Sequence, residues 1–400
     1  MQTHKTKHAH IHTEECVDML RAVHAGRVAD YAATPGRPAE LRAEALAYLG
    51  FWGDPPDRDR VQGAWRPLAE RDASFIPELV AAIGRRGIGD APAEVVDAWC
   101  ALVGSCGALE SQTILRAWVK SRARPQSTAL AALSALEQLA DEGFTEDLKR
   151  ALMDDREVLR AAALAALGRH DRARALPLLA DVLQRGGPEE RRAAFGLLAT
   201  AEDAGTAELL RGQLAALEAG LVAGELALDL VRAGEARGMR ELPERGAAGA
   251  DLGAYYALSL AGGELTQGRK IFMENAALAC RRCHTADDGG AQRVGPDLAG
   301  VGTRLTPEQL LEAVISPNAS VVDGYDSVVL SMDDGSYMSG RVLEEDAETV
   351  VLLDAEGDVF DLAVEEITGR SVGLSAMPDG HAEHLNRRAM RDLIAYLKSL

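Results

Sequence analysis

Aromatic residues are scarce in this chain: Phe, Trp and Tyr make up 4% of its 400 positions. A core with few large rings must close through many small and aliphatic contacts. Ala and Leu supply them here, a composition that favours packed helices. Cysteine is also rare. The five are Cys16, Cys100, Cys106, Cys280 and Cys283, an odd number at irregular spacing that argues against a disulfide framework. No run reaches the roughly 18 apolar residues that cross a bilayer, so no membrane-spanning segment is expected. Positive charge is short, with 43 Lys and Arg against 62 Asp and Glu and a net charge of -19. Such a surface repels nucleic acid and anionic lipid, which are excluded as expected partners, and suits a basic protein. The stretch from Met1 to His8 has no apolar centre and does not read as a secretory signal. His4, His8, His10 and His12 are expected in a disordered tail rather than a metal site.

Four hundred residues imply two or three domains. Residues 1–36 are taken as a tail or partial element. From about 37 to 235 one theme recurs. The run Leu41 to Gly50 returns as Leu159 to Gly168, again as Arg191 to Leu198, and more weakly as Ala129 to Leu139. Arg160 and Arg192 occupy matching places 32 residues apart. Apolar residues fall at helical spacing, as at Leu159, Ala163, Leu164 and Leu167. Asp154, Asp155 and Pro188 stand just before such helices, where caps and first-turn prolines belong. Paired helices repeating at this period mean an α-solenoid, and the pattern resembles HEAT repeats. Cys100 and Cys106 are expected as buried helical thiols, and His170 as a loop histidine. Residues 236–262, rich in Gly with Pro243, read as a linker.

The chemistry lies beyond the linker. Cys280-Arg281-Arg282-Cys283-His284 is the five-residue signature for covalent haem attachment. Two thiols add to the two vinyl groups of one haem, so they must sit about one turn apart, and the adjacent His284 reaches the iron from the same face. Half of a zinc site is the rival reading, but no cysteine follows Cys283 to complete it. One motif implies one haem c. Gly268 to Phe272 opens a helix before the motif. Gly295-Pro296-Asp297-Leu298 follows it, and Leu385, Ala389, Leu393, Tyr396, Leu397 and Leu400 mark the apolar stripe of a terminal helix. Residues 263–400 therefore resemble a class I cytochrome c. The resemblance implies that the first and last helices cross closely, with Gly268 and Phe272 meeting Tyr396. It implies that Pro296 offers its carbonyl to the second nitrogen of His284, fixing the ring and raising its basicity. It also implies a thioether as the other axial iron ligand, at Met377 of Met377-Pro378, with His381 and His384 as competitors.

His284 and Met377 stand 93 residues apart, and removing the 50 residues of 321–370 leaves an ordinary 43. That segment reads as β-rich. Strands are expected at Tyr325–Met332, Tyr337–Glu344, Thr349–Asp354, Asp358–Ala363 and Ile367–Val372, with turns at Asp334-Gly335 and Glu356-Gly357. They suggest a small closed barrel, SH3-like or Sm-like, with Met332 and Met338 inside it. Its acidic residues match no calcium loop. The fold class is thus mainly α: a HEAT-like α-solenoid, then a cytochrome c domain with an inserted β-barrel.

A cytochrome core interrupted by such a segment after Ser316-Pro317-Asn318, with Met-Pro beyond, closely resembles the haem-binding domain widespread in planctomycetes and verrucomicrobia. Members often carry HEAT-like repeats upstream, and further upstream a β-propeller resembling sugar dehydrogenases. Trp52 to Arg71 resembles the stretch joining propeller to solenoid; the propeller itself is absent from the sequence. The resemblance implies an electron-transfer module rather than an enzyme, accepting electrons from a docked or separately encoded dehydrogenase, with methionine raising the potential. A peroxidase-like haem that releases Met377, or a scaffold or sensor, are the alternatives. Haem attachment implies a periplasmic or otherwise extracytoplasmic location, with export supplied by a partner or an upstream segment.

Overall fold

The computed structural model describes residues 23–58, 64–242, 251–286 and 294–400. Most of the N-terminal tail, the Asp59-Arg60-Val61 stretch and Pro243 lie outside them. The chain is mainly helical with one small antiparallel sheet, and its contacts divide it into two compact units meeting between Leu197 and Leu198.

Among its described residues the first unit is built from helices, apart from an isolated bridge between Arg58 and Trp65. Helical residues 23–33 (α1) are followed by α2 (Ala39–Gly50), α3 (Ile76–Arg85), α4 (Ala93–Cys106), α5 (Gln112–Lys120), α6 (Gln126–Leu139), α7 (Phe144–Leu152), α8 (Glu157–His170), α9 (Arg172–Ala175), α10 (Leu179–Arg185) and α11 (Pro188–Thr200), whose end crosses into the second unit. Helices α3 and α4, α5 and α6, and α7 and α8 pack as pairs, while α2, α4, α6 and α8 pack in series. Small residues permit the close approach: a side chain at Gly168 would run into Leu197. The 32-residue spacing reappears in the hydrogen bonds. Arg122 Nη1 donates to Asp154 at 2.9 Å, Arg169 Nε to Glu137 at 2.7 Å, and the Glu189 amide to Glu157 at 2.7 Å, each across 32 residues. Arg156, then Arg122, hold the Asp154 carboxyl well below the usual carboxylate range.

Cys100 is buried and Cys106 half-buried on α4, and burial pushes the Cys106 thiol up to about 11. Pro188 opens α11 as expected. His170 is not in a loop: it ends α8, edge-on to Phe144 at 5.2 Å and 3.3 Å from Glu137.

The second unit contains α12 (Ala204–Glu218), α13 (Gly224–Ala236), α14 (Leu252–Tyr256), α15 (Leu265–Glu274), α16 (Val301–Arg304), α17 (Pro307–Ile315), five strands and α18 (Arg387–Ser399). The linker expected at 236–262 falls inside this unit. Helix α18 is its centre, packed by α15, α16 and α17. At the crossing with α15, a Cβ built on Gly268 would stand 2.6 Å from the Asp392 carbonyl carbon and 2.7 Å from Tyr396 Cβ. One turn on, Phe272 meets Tyr396 with ring centroids 5.6 Å apart. Buried Arg391 reaches from α18 to Asp229 of α13 at 2.7 Å, which satisfies a charge that burial would otherwise penalise. Tyr256 of α14 places its hydroxyl 2.7 and 2.6 Å from the Ala382 and Leu385 carbonyls.

The strands are β1 (Ser327–Met332), β2 (Tyr337–Glu345), β3 (Thr349–Leu353), β4 (Val359–Ala363) and β5 (Ile367–Val372), in the order β4-β3-β2-β1-β5. All neighbours are antiparallel, and the register shifts at Ser331/Met332 and between Val342 and Glu344. Leu330, Met332, Val350 and Leu352 form a buried cluster that Met338, Leu362 and Ile367 complete, so one face of every strand shares it. The expected barrel is not closed by hydrogen bonds: β4 and β5 are the two edges of the sheet, joined by a 3-10 turn at Val364–Glu366.

Gly268→Ala is expected to force α15 off α18 and to destabilise the chain by about 1–3 kcal/mol, as overpacking does. Gly212→Ala on α12, where a Cβ meets nothing within 4 Å, should be neutral or stabilising. Urea denaturation followed by circular dichroism checks both; equal effects would refute the close crossing.

Candidate functional site

The site begins where α15 ends. Asn275 accepts from the Ala277 and Leu278 amides at 3.0 and 3.2 Å, turning the chain back. Ala279 takes a left-handed conformation, φ +47°, rare for a residue with a Cβ. One 3-10 turn, Cys280–Arg282, follows. The Cys283 and His284 amides both donate to the Cys280 carbonyl, at 3.2 and 3.0 Å, so the two cysteines and the histidine are fixed on a single turn. Cys280 packs against the core that α15, α17 and α18 build, and burial raises its thiol. Arg281 and Arg282 point to solvent.

His284 has a defined protonation state. Its Nδ1 lies 2.8 Å from the Pro296 carbonyl oxygen, which can only accept, so Nδ1 carries the proton. Burial lowers its pKa, the Pro296 bond opposes that, and the charge of His381 lowers it further. The neutral ring therefore leaves Nε2 with a free lone pair, the form in which histidine binds metal. Gly295 makes the arrangement possible: a Cβ there would stand 2.7 Å from His284 Cε1 and 3.0 Å from Nδ1. The Gly295 amide donates to the Cys283 carbonyl at 3.0 Å and the Leu298 amide to the Thr285 carbonyl at 2.8 Å, closing the loop onto the Cys280–His284 turn.

Met377 sits in the loop after β5, half-buried against the same apolar cluster as Cys280. Asn318 fixes this loop from both sides. Its Oδ1 accepts from the Ser375 amide at 2.8 Å and its Nδ2 donates to Asp379 at 3.1 Å. The Met377 amide donates to Ser375 Oγ at 3.2 Å. His381, its pKa lowered by burial and by His384, lies close enough for its charge to act on His284.

The structure thus brings Cys280, Cys283, His284 and Pro296 together on one loop and sets Met377 on the same core. Among the described residues no three His, Cys, Asp or Glu side chains converge as a metal site. The donors are instead one imidazole nitrogen and a thioether, beside two thiols one turn apart, a set that fits a covalently held haem. Sequence reasoning assigns no role to Asn275, and it quotes Gly295 and Asn318 only as members of motifs. The Ser-Pro-Asn triplet marked the place of Asn318, but its partners lie 57 and 61 residues away. No family model matches the chain, and no curated protein is similar to it.

Because the folded structure holds His284 below the usual histidine range, its contribution to stability is full above the unfolded value near 6.5 and is lost as pH falls below it. Gly295→Ala should displace the ring into water, raise its pKa toward the ordinary value and abolish the preference for the Nδ1–H tautomer. Nitrogen-15 NMR titration of His284 in the polypeptide alone reads both; an unchanged tautomer would contradict the contact.

Proposed function

We propose that this chain is an electron-transfer protein carrying one covalent haem c, attached through Cys280 and Cys283 with His284 and Met377 as axial ligands. The observation that carries the reading is the 2.8 Å bond from His284 Nδ1 to the Pro296 carbonyl, which leaves Nε2 unprotonated on the residue next to the turn that bears both thiols. When bound, the haem supplies a one-electron couple. The residues of this chain do the rest. Pro296 and Gly295 hold the imidazole ring in place, Asn318 holds the Met377 loop, and the Phe272–Tyr396 contact anchors the helices behind them.

In this reading residues 263–400 form the class I-like cytochrome c domain, with the β segment inserted. The paired helices of residues 37–235 form a HEAT-like solenoid, a reading supported by bonds recurring across 32 residues. The solenoid offers a long surface for a redox partner protein, for which a propeller-type dehydrogenase is the candidate, and haem attachment places the protein outside the cytoplasm. Among the described residues no helix is long and apolar enough to cross a membrane. From Glu264 to Leu400 there are 24 acidic and 12 basic residues, yet Arg281 and Arg282 stand exposed within the attachment turn. A local basic spot in an acidic field orients an incoming partner.

Cys280→Ser together with Cys283→Ser is expected to abolish covalent haem, read as loss of haem staining on a denaturing gel after export with a maturation system. A stained band from the double variant would overturn the attachment. For the distal ligand, Met377→Ala should remove the long-wavelength charge-transfer band of the oxidised protein, and Met377→His should also lower the potential. His381, electrostatically coupled to His284, is the competitor. Absence of the band from the parent, with a spectrum changed by His381→Ala and not by Met377→Ala, would assign the ligand to His381.

A further inference from the structure

The β segment is acidic: between residues 321 and 370 it has 14 Asp and Glu but only two basic residues, Arg341 and Arg370. Arg370 is spent on the surface, paired with exposed Glu345 at 2.8 Å. Arg341 is placed differently. It lies on β2 between Ser327 of β1 and Leu353 of β3 in register, half-buried. Its guanidinium stacks on the ring of Tyr325 at 4.3 Å and donates to the Gly324 carbonyl at 3.4 Å. Both contacts restrict a long side chain that would otherwise be mobile.

Arg341 and Tyr325 form one wall of a cavity of about 260 Å³. Residues of the two loops of the site already described also line it. Val294 adjoins Gly295, which packs on the His284 ring, while Ser375, Ala376 and Pro378 flank Met377. The cavity therefore brings residues of the inserted sheet together with residues of both ligand loops, apolar Val294, Ala376 and Pro378 beside the hydroxyls of Ser339 and Ser375 and the restrained Arg341 cation.

We propose that Arg341 is a positioning residue for the haem: its guanidinium receives a propionate carboxylate in this cavity, so that the inserted sheet covers one edge of the cofactor. This rests on the covalent-haem reading. A haem carries two carboxylates at one edge, and this cavity offers a cation and serine hydroxyls beside residues that adjoin both ligand loops. Guanidinium pairs with carboxylate through two parallel hydrogen bonds. A positive charge at that edge disfavours further positive charge on the iron, so it holds the potential up.

The test is the midpoint potential of the full chain, with covalent haem confirmed by mass in every variant. Arg341→Gln should lower the potential, shifting the ferrous-to-ferric ratio at fixed poise by about tenfold, which is about 59 mV for one electron. Arg341→Lys keeps the charge and should stay near the parent. Arg370→Gln removes the same charge from the same sheet outside the cavity and should leave the potential unchanged. An Arg341→Gln protein with haem attached and the parental potential would overturn the proposal, as would an Arg341→Lys potential that falls as far as that of Arg341→Gln. Failure of the parent chain to take up covalent haem at all would instead overturn the reading beneath it.

Discussion

The second unit depends on one close approach, that of α15 to the backbone of α18 at Gly268. There is no room for a Cβ between the glycine and the Asp392 carbonyl. With the backbones this near, Phe272 falls onto Tyr396 one turn later, and the cluster spanning α15, α17 and α18 closes. Gly263 and Gly302 make similar approaches to the carbonyls of Arg391 and Lys398. Three segments thus lie against α18 without intervening side chains. The crossing sets where α15 ends, hence where the Asn275 turn begins and where Cys280, Cys283 and His284 stand.

Around the site, polar groups are fixed in pairs rather than left to solvent. The Pro296 carbonyl sets the His284 tautomer, Asn318 sets the Met377 loop, and Asp229 satisfies Arg391 behind them. The His284 and Arg391 bonds lie in half-buried or buried settings, where an unpaired partner is costly, while those of Asn318 are exposed. The result is a rigid donor set on an apolar core, within a domain that is strongly acidic outside.

Local patterns were legible in the sequence. The five strands appear where alternation and the Asp-Gly and Glu-Gly turns put them, with ends differing by a residue or two. The Gly268, Phe272 and Tyr396 contact and the Pro296 bond stand at the residues implied by the resemblance. The 32-residue spacing surfaces in the hydrogen bonds. Long-range pairings were not legible. Arg391 and Asp229 are 162 residues apart, and nothing in either neighbourhood marks the pair. Barrel closure also depends on tertiary detail: the 3-10 turn after β4 moves the chain from one edge of the sheet to the other instead of pairing the edges. His170, read as a loop residue, was captured by α8 through its packing on Phe144.

Asn318 precedes the β segment, while Ser375 and Asp379, which it binds, follow it. The whole excursion is therefore tied at its neck by a single side chain. Lengthening a loop whose ends are already held together adds little closure entropy, since each doubling costs only about 0.6 kcal/mol. A sheet of different size or sequence would then leave the loop that bears Met377 in place. The neck uncouples the length of the sheet from the position of the loop that follows it.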